Sequence, residues 1–288
     1  MVGRAPFAIG RAGFTMIEAL VALTISSGLI VMVGAVFLTQ NEFFTWILLR
    51  GQVQENARAM TELVGSEVRS VSRGGVILAD SMRFVVRAPM VQASVCGITG
   101  TDAYAFVPGG SASIDQSEVA SLGVMNAAGS GTWAYYDATW ATLAGSGGTP
   151  AATCATNGAD TASVASQFLQ LRVGTVTGAS APAVGTVLML LRKTEFKIAD
   201  SVLDPGVRAI FRGPYGESLV EFATGLSTTA QFRFRYGTTT HYKVVTGANL
   251  ALVDGIRIIA QSVGRGGSGG QTSFAFGWTV DIPFHNSR

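Results

Sequence analysis

The chain has 288 residues, of which 48% are hydrophobic and 13% charged, with 36 glycines and a formal net charge of +2. The charged share is about half the usual globular value, while the apolar content is ample for a core, which excludes disorder as the main state. So small a net charge also excludes a strongly basic nucleic-acid binder.

The charges fall into zones. Arg4 and Arg11 are the only charges in residues 1–13, and Glu18 is the only one from there to Asn41. Six basic and five acidic residues mix over 41–87. Residues 88–171 hold five acids and no Lys or Arg, and residues 172–288 hold twelve basic and seven acidic residues. A near-neutral total therefore hides an acidic middle and a basic C-terminal zone.

Residues 19–41 are 23 uncharged positions in a row. As a helix they span about 35 Å, enough for a bilayer core of about 30 Å. No proline interrupts them. Gly28 and Gly34 fit ordinary membrane-helix composition. Arg4 and Arg11 precede the span, so the positive-inside rule places the N-terminus in the cytoplasm and everything after Asn41 outside. A conventional signal peptide is cut after its apolar region. Here the distinctive residues come before it, as Gly13-Phe14-Thr15-Met16-Ile17-Glu18. A lone carboxylate at the mouth of a membrane helix is costly without a partner.

This run, followed by the uncharged span, resembles the type IV prepilin leader. The resemblance implies cleavage by a prepilin peptidase after Gly13 and N-methylation of the new terminus, Phe14. It gives Glu18 the assembly role of the family's glutamate. Cleavage would create a cation on Phe14, and Glu18 lies four residues along on the same helical face. In a filament, Glu18 would pair instead with the terminal amine of a neighbouring subunit.

Beyond Phe43, Phe44 and Trp46, which suit a membrane interface, apolar residues recur at spacings of three and four. They are Val53, Ala57, Met60, Val64, Val68 and Val71. That stripe predicts an amphipathic continuation of the helix over 42–74, ended by Gly74-Gly75, with Gly51 marking a bend. Strands are predicted at 76–79, 83–87, 186–191, 195–198, 207–212, 218–222, 231–236, 256–261 and 273–284. Residues 231–236, QFRFRY, alternate strictly, with the arginines facing water. One long helix followed by short antiparallel strands predicts an α+β fold. The predicted organisation is a leader (1–13), a transmembrane segment (14–41), the helix continuation (42–74) and a β-rich extracytoplasmic domain (75–288). A Gly/Ala-rich insert is predicted at about 88–185.

Asn56-Ala57-Arg58, Glu67-x-Arg69 and the later Phe232-Arg233-Phe234-Arg235-Tyr236-Gly237 resemble PilW-type minor pilins and the J-type pseudopilins of type II secretion. The insert is not covered by that resemblance. Its cysteines, Cys96 and Cys154, are the only two in the chain. An extracytoplasmic location permits a Cys96–Cys154 disulfide, which would stabilise by roughly 4 kcal/mol in the chain-entropy model. Trp133, Tyr135, Tyr136 and Trp140 form either a small core beneath the loops or a partner-facing patch.

No catalytic motif is coherent. Residues 264–269, GRGGSG, formally match a dinucleotide fingerprint, and 266–270 match a nucleophile elbow, but a strand is predicted next, where both motifs need a helix. His241 and His285 have no partner motif, and Asp115 with Glu118 is too little for a calcium site. Arg208, Arg212, Arg233 and Arg235 read as a solvated sheet face, or one that meets the acidic insert, in preference to a nucleic-acid surface.

The expectation is a structural assembly protein, not an enzyme, with no cofactor. It sits in the inner membrane with its C-terminal domain periplasmic or extracellular, and then enters a filament. The resemblance implies a minor subunit of an initiation or tip complex. Its partners would be the prepilin peptidase, other minor pilins or pseudopilins, and filament subunits. A J-type pseudopilin is the nearest alternative. A membrane-tethered adhesin or DNA-binding module is the alternative of a different class.

Overall fold

The computed structural model describes residues 14–99, 102–106, 121–125, 133–137, 168–169, 183–237, 240–264 and 274–284. Among the described residues one α-helix, α1 (Met16–Arg69), leads into strands of a 13-stranded sheet. All the strand pairs are antiparallel. The fold class is therefore α+β.

The 54-residue helix divides by burial, not by a break. It runs through Gly51 as helix. From Met16 to Leu48 its large apolar side chains are exposed. From Val53 onward one face is buried: Val53, Ala57, Met60, Val64 and Val68. This is the stripe read from the sequence. The helix ends earlier than Gly74, at Arg69. Ser70 caps it with αR backbone, and its hydroxyl donates to the Glu67 carbonyl at 2.6 Å. Val71 is fully buried just past the cap, so the apolar stripe outlasts the helix by packing alone. Gly74 then turns the chain at φ +84°, where an L side chain is strained.

The hairpin of β1 (Val76–Asp80) and β2 (Arg83–Thr99) closes on Asp80, whose carboxylate accepts from the Met82 amide at 3.0 Å. Strand β2 runs straight through residue 88, the expected start of the insert. Its register slips between Pro89 and Val91, where proline lacks the ladder donor. Strands β3 (Asp102–Phe106), β4 (Ser121–Met125), β5 (Trp133–Asp137) and β6 (Phe168–Leu169) come from the Ala/Gly-rich stretch and join the same sheet. The rest of that stretch lies outside the described residues.

The segments expected at 186–191 and 195–198 form one strand, β7 (Val187–Asp200), despite Arg192-Lys193 in its middle. It is paired on both sides, by β2 along one edge and by β4 and then β8 (Arg208–Pro214) along the other. Strands β9 (Val220–Leu226), β10 (Gln231–Tyr236) and β11 (His241–Tyr242) follow. A 3-10 helix, Gly247–Leu252, then leads to β12 (Val253–Gly264) and β13 (Phe274–Pro283). The path through the sheet is β11-β10-β12-β9-β8-β7-β2-β3-β6, with β13 paired to β12.

Helix α1 packs chiefly on β13, β12 and β9. Its buried stripe belongs to one core cluster that includes a group of phenylalanines. Phe84 stacks on Phe196 at 4.8 Å between ring centroids and meets Phe232 edge-on at 4.7 Å. All three are fully buried. A polar tie sits at the C-terminal end of the helix. Glu67 Oε1 accepts from Arg192 Nη2 at 3.1 Å and also from Arg212 Nη2. The β4–β5 hairpin adds a third contact, with the Tyr135 ring lying over Gly74. Trp133 packs on Gly123. Both rings are half-buried and pack against glycines of neighbouring segments; Trp140 lies outside the described residues.

Phe84 carries both ring contacts, so Phe84→Ala leaves a cavity that the surrounding sheet cannot close. Chemical denaturation should register a loss of about 3–5 kcal/mol. A loss under about 1 kcal/mol would mean that the cluster is not the centre of the core.

Candidate functional site at the helix N-terminus

The first described residues form a compact polar knot ahead of the apolar helix. Thr15 is the N-cap, with extended backbone at φ −79° and ψ 149°. The Glu18 amide donates to Thr15 Oγ1 at 3.3 Å. In return Glu18 Oε2 accepts from the Thr15 amide at 3.0 Å and from the Thr15 hydroxyl at 3.1 Å. This is a reciprocal capping box, and it satisfies two of the backbone donors that every helix start leaves open. The negative carboxylate also lies at the positive end of the helix dipole. Glu18 therefore has a local partner in the uncut chain. That partner is the peptide one residue beyond Phe14, not the terminus itself.

Phe14 is 77% exposed and precedes the cap in non-helical backbone. Gly13 lies outside the described residues. Thr15 was not singled out from the sequence, although Thr-x-x-Glu directly before an apolar run is the signature of this box.

Beyond the knot, α1 is the one helix among the described residues that is long and apolar enough to cross a membrane. Its apolar surface ends at an aromatic and cationic collar. Phe43 stacks with Trp46 at 6.5 Å, and the Arg50 guanidinium lies 5.5 Å from the Trp46 ring centre. Aromatic rings followed by a cation suit the boundary between hydrocarbon and water. Gly28 and Gly34 have open space around them in the single chain.

The other expected positions lie far along the chain. Cys96 is disulfide-bonded and sits where β2 shifts register against β3. Cys154 lies outside the described residues. So do Asp115, Glu118 and His285, and no group of three potential ligands forms a metal site among the described residues. The glycine-rich 265–270 run also lies outside them. The strands flanking it pair as neighbours up to Gly264 and Phe274.

Of the four arginines expected to form a solvated face, three are engaged: Arg208 donates to the Thr228 carbonyl at 2.8 Å, Arg212 donates to Glu67, and Arg235 is paired on its own sheet face, as is its neighbour Arg257. Arg235 Nε donates to Asp254 at 2.8 Å, and Arg257 grips Asp281 through two bonds. His241 Nε2 lies 3.3 Å from the same Asp281 carboxylate. Hydrogen bonding from Arg257 holds the Asp281 carboxyl below the usual aspartate range.

Comparison with protein-family models, curated proteins and solved structures finds no match to the chain.

A carboxylate clamp orders the loop at 201–207. Glu221 accepts from the Ser201 hydroxyl at 2.5 Å and from the Val202 amide at 2.8 Å. Burial raises the Glu221 carboxyl, but the bonds from Ser201, Val202 and Leu203 outweigh it and leave it below the ordinary glutamate value. A depressed carboxyl stabilises above its unfolded pKa, and that contribution is lost as pH falls through the folded value. The Val202 and Leu203 amide resonances should thus hold through the ordinary glutamate range and move only at more acid pH. A midpoint at or above the ordinary value would contradict the clamp.

Proposed function

We propose that the chain is a type IV prepilin-like subunit that assembles into a pilus-like filament, as a minor subunit of an initiation or tip complex. The observation that carries the reading is the division of one continuous helix. Its first half is apolar and exposed on all sides, and its second half is fixed to a folded sheet. Among the described residues, the first half of this helix has no covering partner in its own chain. A bilayer can supply one, and so can the helices of other subunits.

The capping box supports the second part of the reading. Before cleavage the Glu18 carboxylate is occupied by Thr15. Cleavage between Gly13 and Phe14 would place a new ammonium one residue ahead of that cap. The carboxylate would then have two competing donors, and the stronger is the charged one. In an apolar filament core, an ammonium on one subunit and a carboxylate on the next each need the other. Topology follows the same logic. The N-terminal arginines stay in the cytoplasm, and the sheet domain lies outside the inner membrane.

Intact mass and N-terminal sequencing of the membrane-extracted protein should give a chain that starts at N-methylated Phe14. A chain that retains the first 13 residues in cells with an active prepilin peptidase would remove the reading. Glu18→Ala should insert into membranes as well as the parent. Its incorporation into filaments should fall at least about tenfold, because an unpaired buried charge costs about 3–5 kcal/mol. Equal incorporation would deny Glu18 its role.

A further inference from the structure

The start of α1 is set by a competition for one amide. The first intrahelical bond runs from the Ala19 amide to the Thr15 carbonyl at 3.2 Å. To draw in one more residue, the Glu18 amide would have to donate to the Phe14 carbonyl, four residues back. The Thr15 hydroxyl takes that amide instead, at 3.3 Å. Thr15 itself stays extended at ψ 149°, outside the helical region. Its own amide donates to Glu18 Oε2 at 3.0 Å. Phe14 is therefore kept out of the helix, and the peptide group that follows it is held by its N–H.

Nothing else in this stretch stops the helix. Residues 14–18 contain no proline and no glycine. An amide without an acceptor is costly beside hydrocarbon, so a helix at the mouth of a bilayer uses the nearest acceptor on offer. Without the Thr15 hydroxyl, that acceptor is the Phe14 carbonyl. The helix then gains a residue at its N-terminal end.

Such a shift matters for a bond that has to be cut. A site that reads a peptide through its backbone takes it extended, with its N–H and C=O groups free to pair. A geometry already fixed beside the reacting bond also lowers the cost of docking. Phe14, 77% exposed in non-helical backbone, meets both conditions.

We infer that Thr15 is a positioning residue for hydrolysis of the bond between Gly13 and Phe14, holding the helix back so that Phe14 reaches the peptidase in non-helical backbone. Water adds across the amide, leaving a carboxylate on Gly13 and an ammonium on Phe14. The inference rests on the prepilin reading and separates two roles within it. Thr15 acts at processing through a hydrogen bond, and Glu18 acts at assembly through its charge. Glutamine at the third helical position also completes a capping box, but it cannot balance an ammonium.

The test is cleavage of the purified full-length precursor in detergent micelles by a purified prepilin peptidase, with initial rates read by intact mass. Thr15→Val keeps the side-chain shape and lacks the hydroxyl. It should be cut about fivefold more slowly, the usual effect of losing an N-cap. Its Phe14 α-carbon chemical shift should move to the helical side. Thr15→Ser should return the rate to within about twofold of the parent. Glu18→Gln should be cut at the parent's rate and still fail to enter filaments. Stability of the sheet domain to denaturant should be the same in all of them, since the printed bonds of Thr15 and Glu18 stay within the first turns of the helix. Thr15→Val cut as fast as the parent, or Thr15→Ser as slow as Thr15→Val, would overturn the inference and leave the prepilin reading standing. A parent that is never cut would remove that reading, and this inference with it.

Discussion

One helix has to satisfy two surroundings along its length, and the rest of the structure answers that demand. From Met16 to Leu48 apolar side chains point in every direction, which no single sheet could cover. From Val53 to Val71 they narrow to one stripe, which a sheet can cover. Burying one such side chain is worth about 1.5–3 kcal/mol. The stripe is therefore a strong attachment, and the exposed half is a correspondingly large surface seeking cover. Leu226, Ile256, Ile258 and Ile282, on the strands the helix packs against, belong to the same buried cluster as the stripe, and Phe84, Phe196 and Phe232 extend that cluster across the sheet.

Apolar packing alone would let the helix slide or rotate on such a layer. The polar contacts at its C-terminal end restrict that freedom. Glu67 reaches two strands at once through Arg192 and Arg212, and it can do so from only one helical face. The Tyr135 ring over Gly74 blocks the exit turn from the other side. The β4–β5 hairpin thus belongs to the helix anchorage, although it comes from the stretch with the least distinctive composition.

The strongest periodicities were legible in the sequence. The alternation of QFRFRY marks β10 at its observed limits, and the three-and-four spacing from Val53 to Val71 marks the buried face. What was not legible depended on partners distant in sequence. Arg192-Lys193 looks like a break between strands, yet pairing on both edges keeps β7 continuous. SLGVM and WAYYD are short and sit among glycines, so their strand state rests on β7 and on each other. The helix stop at Arg69 was missed because a Ser70 cap is a subtler signal than two glycines. At the N-terminus the opposite holds. Thr15 and Glu18 are three residues apart, and their pairing is a local signal that needed no fold to be seen.

The helix precedes every described strand, and the strand it leans on most, β13, is the last of them in sequence. The two sides of the core are therefore made far apart in time during synthesis. A nascent chain carries its apolar stripe incompletely covered until β13 has emerged. Folding of this domain is then governed by closure of a very long loop, the kind of topology that slows folding most. Until that closure the stripe is open to any other apolar surface, so the incomplete sheet is the state of this domain most exposed to aggregation.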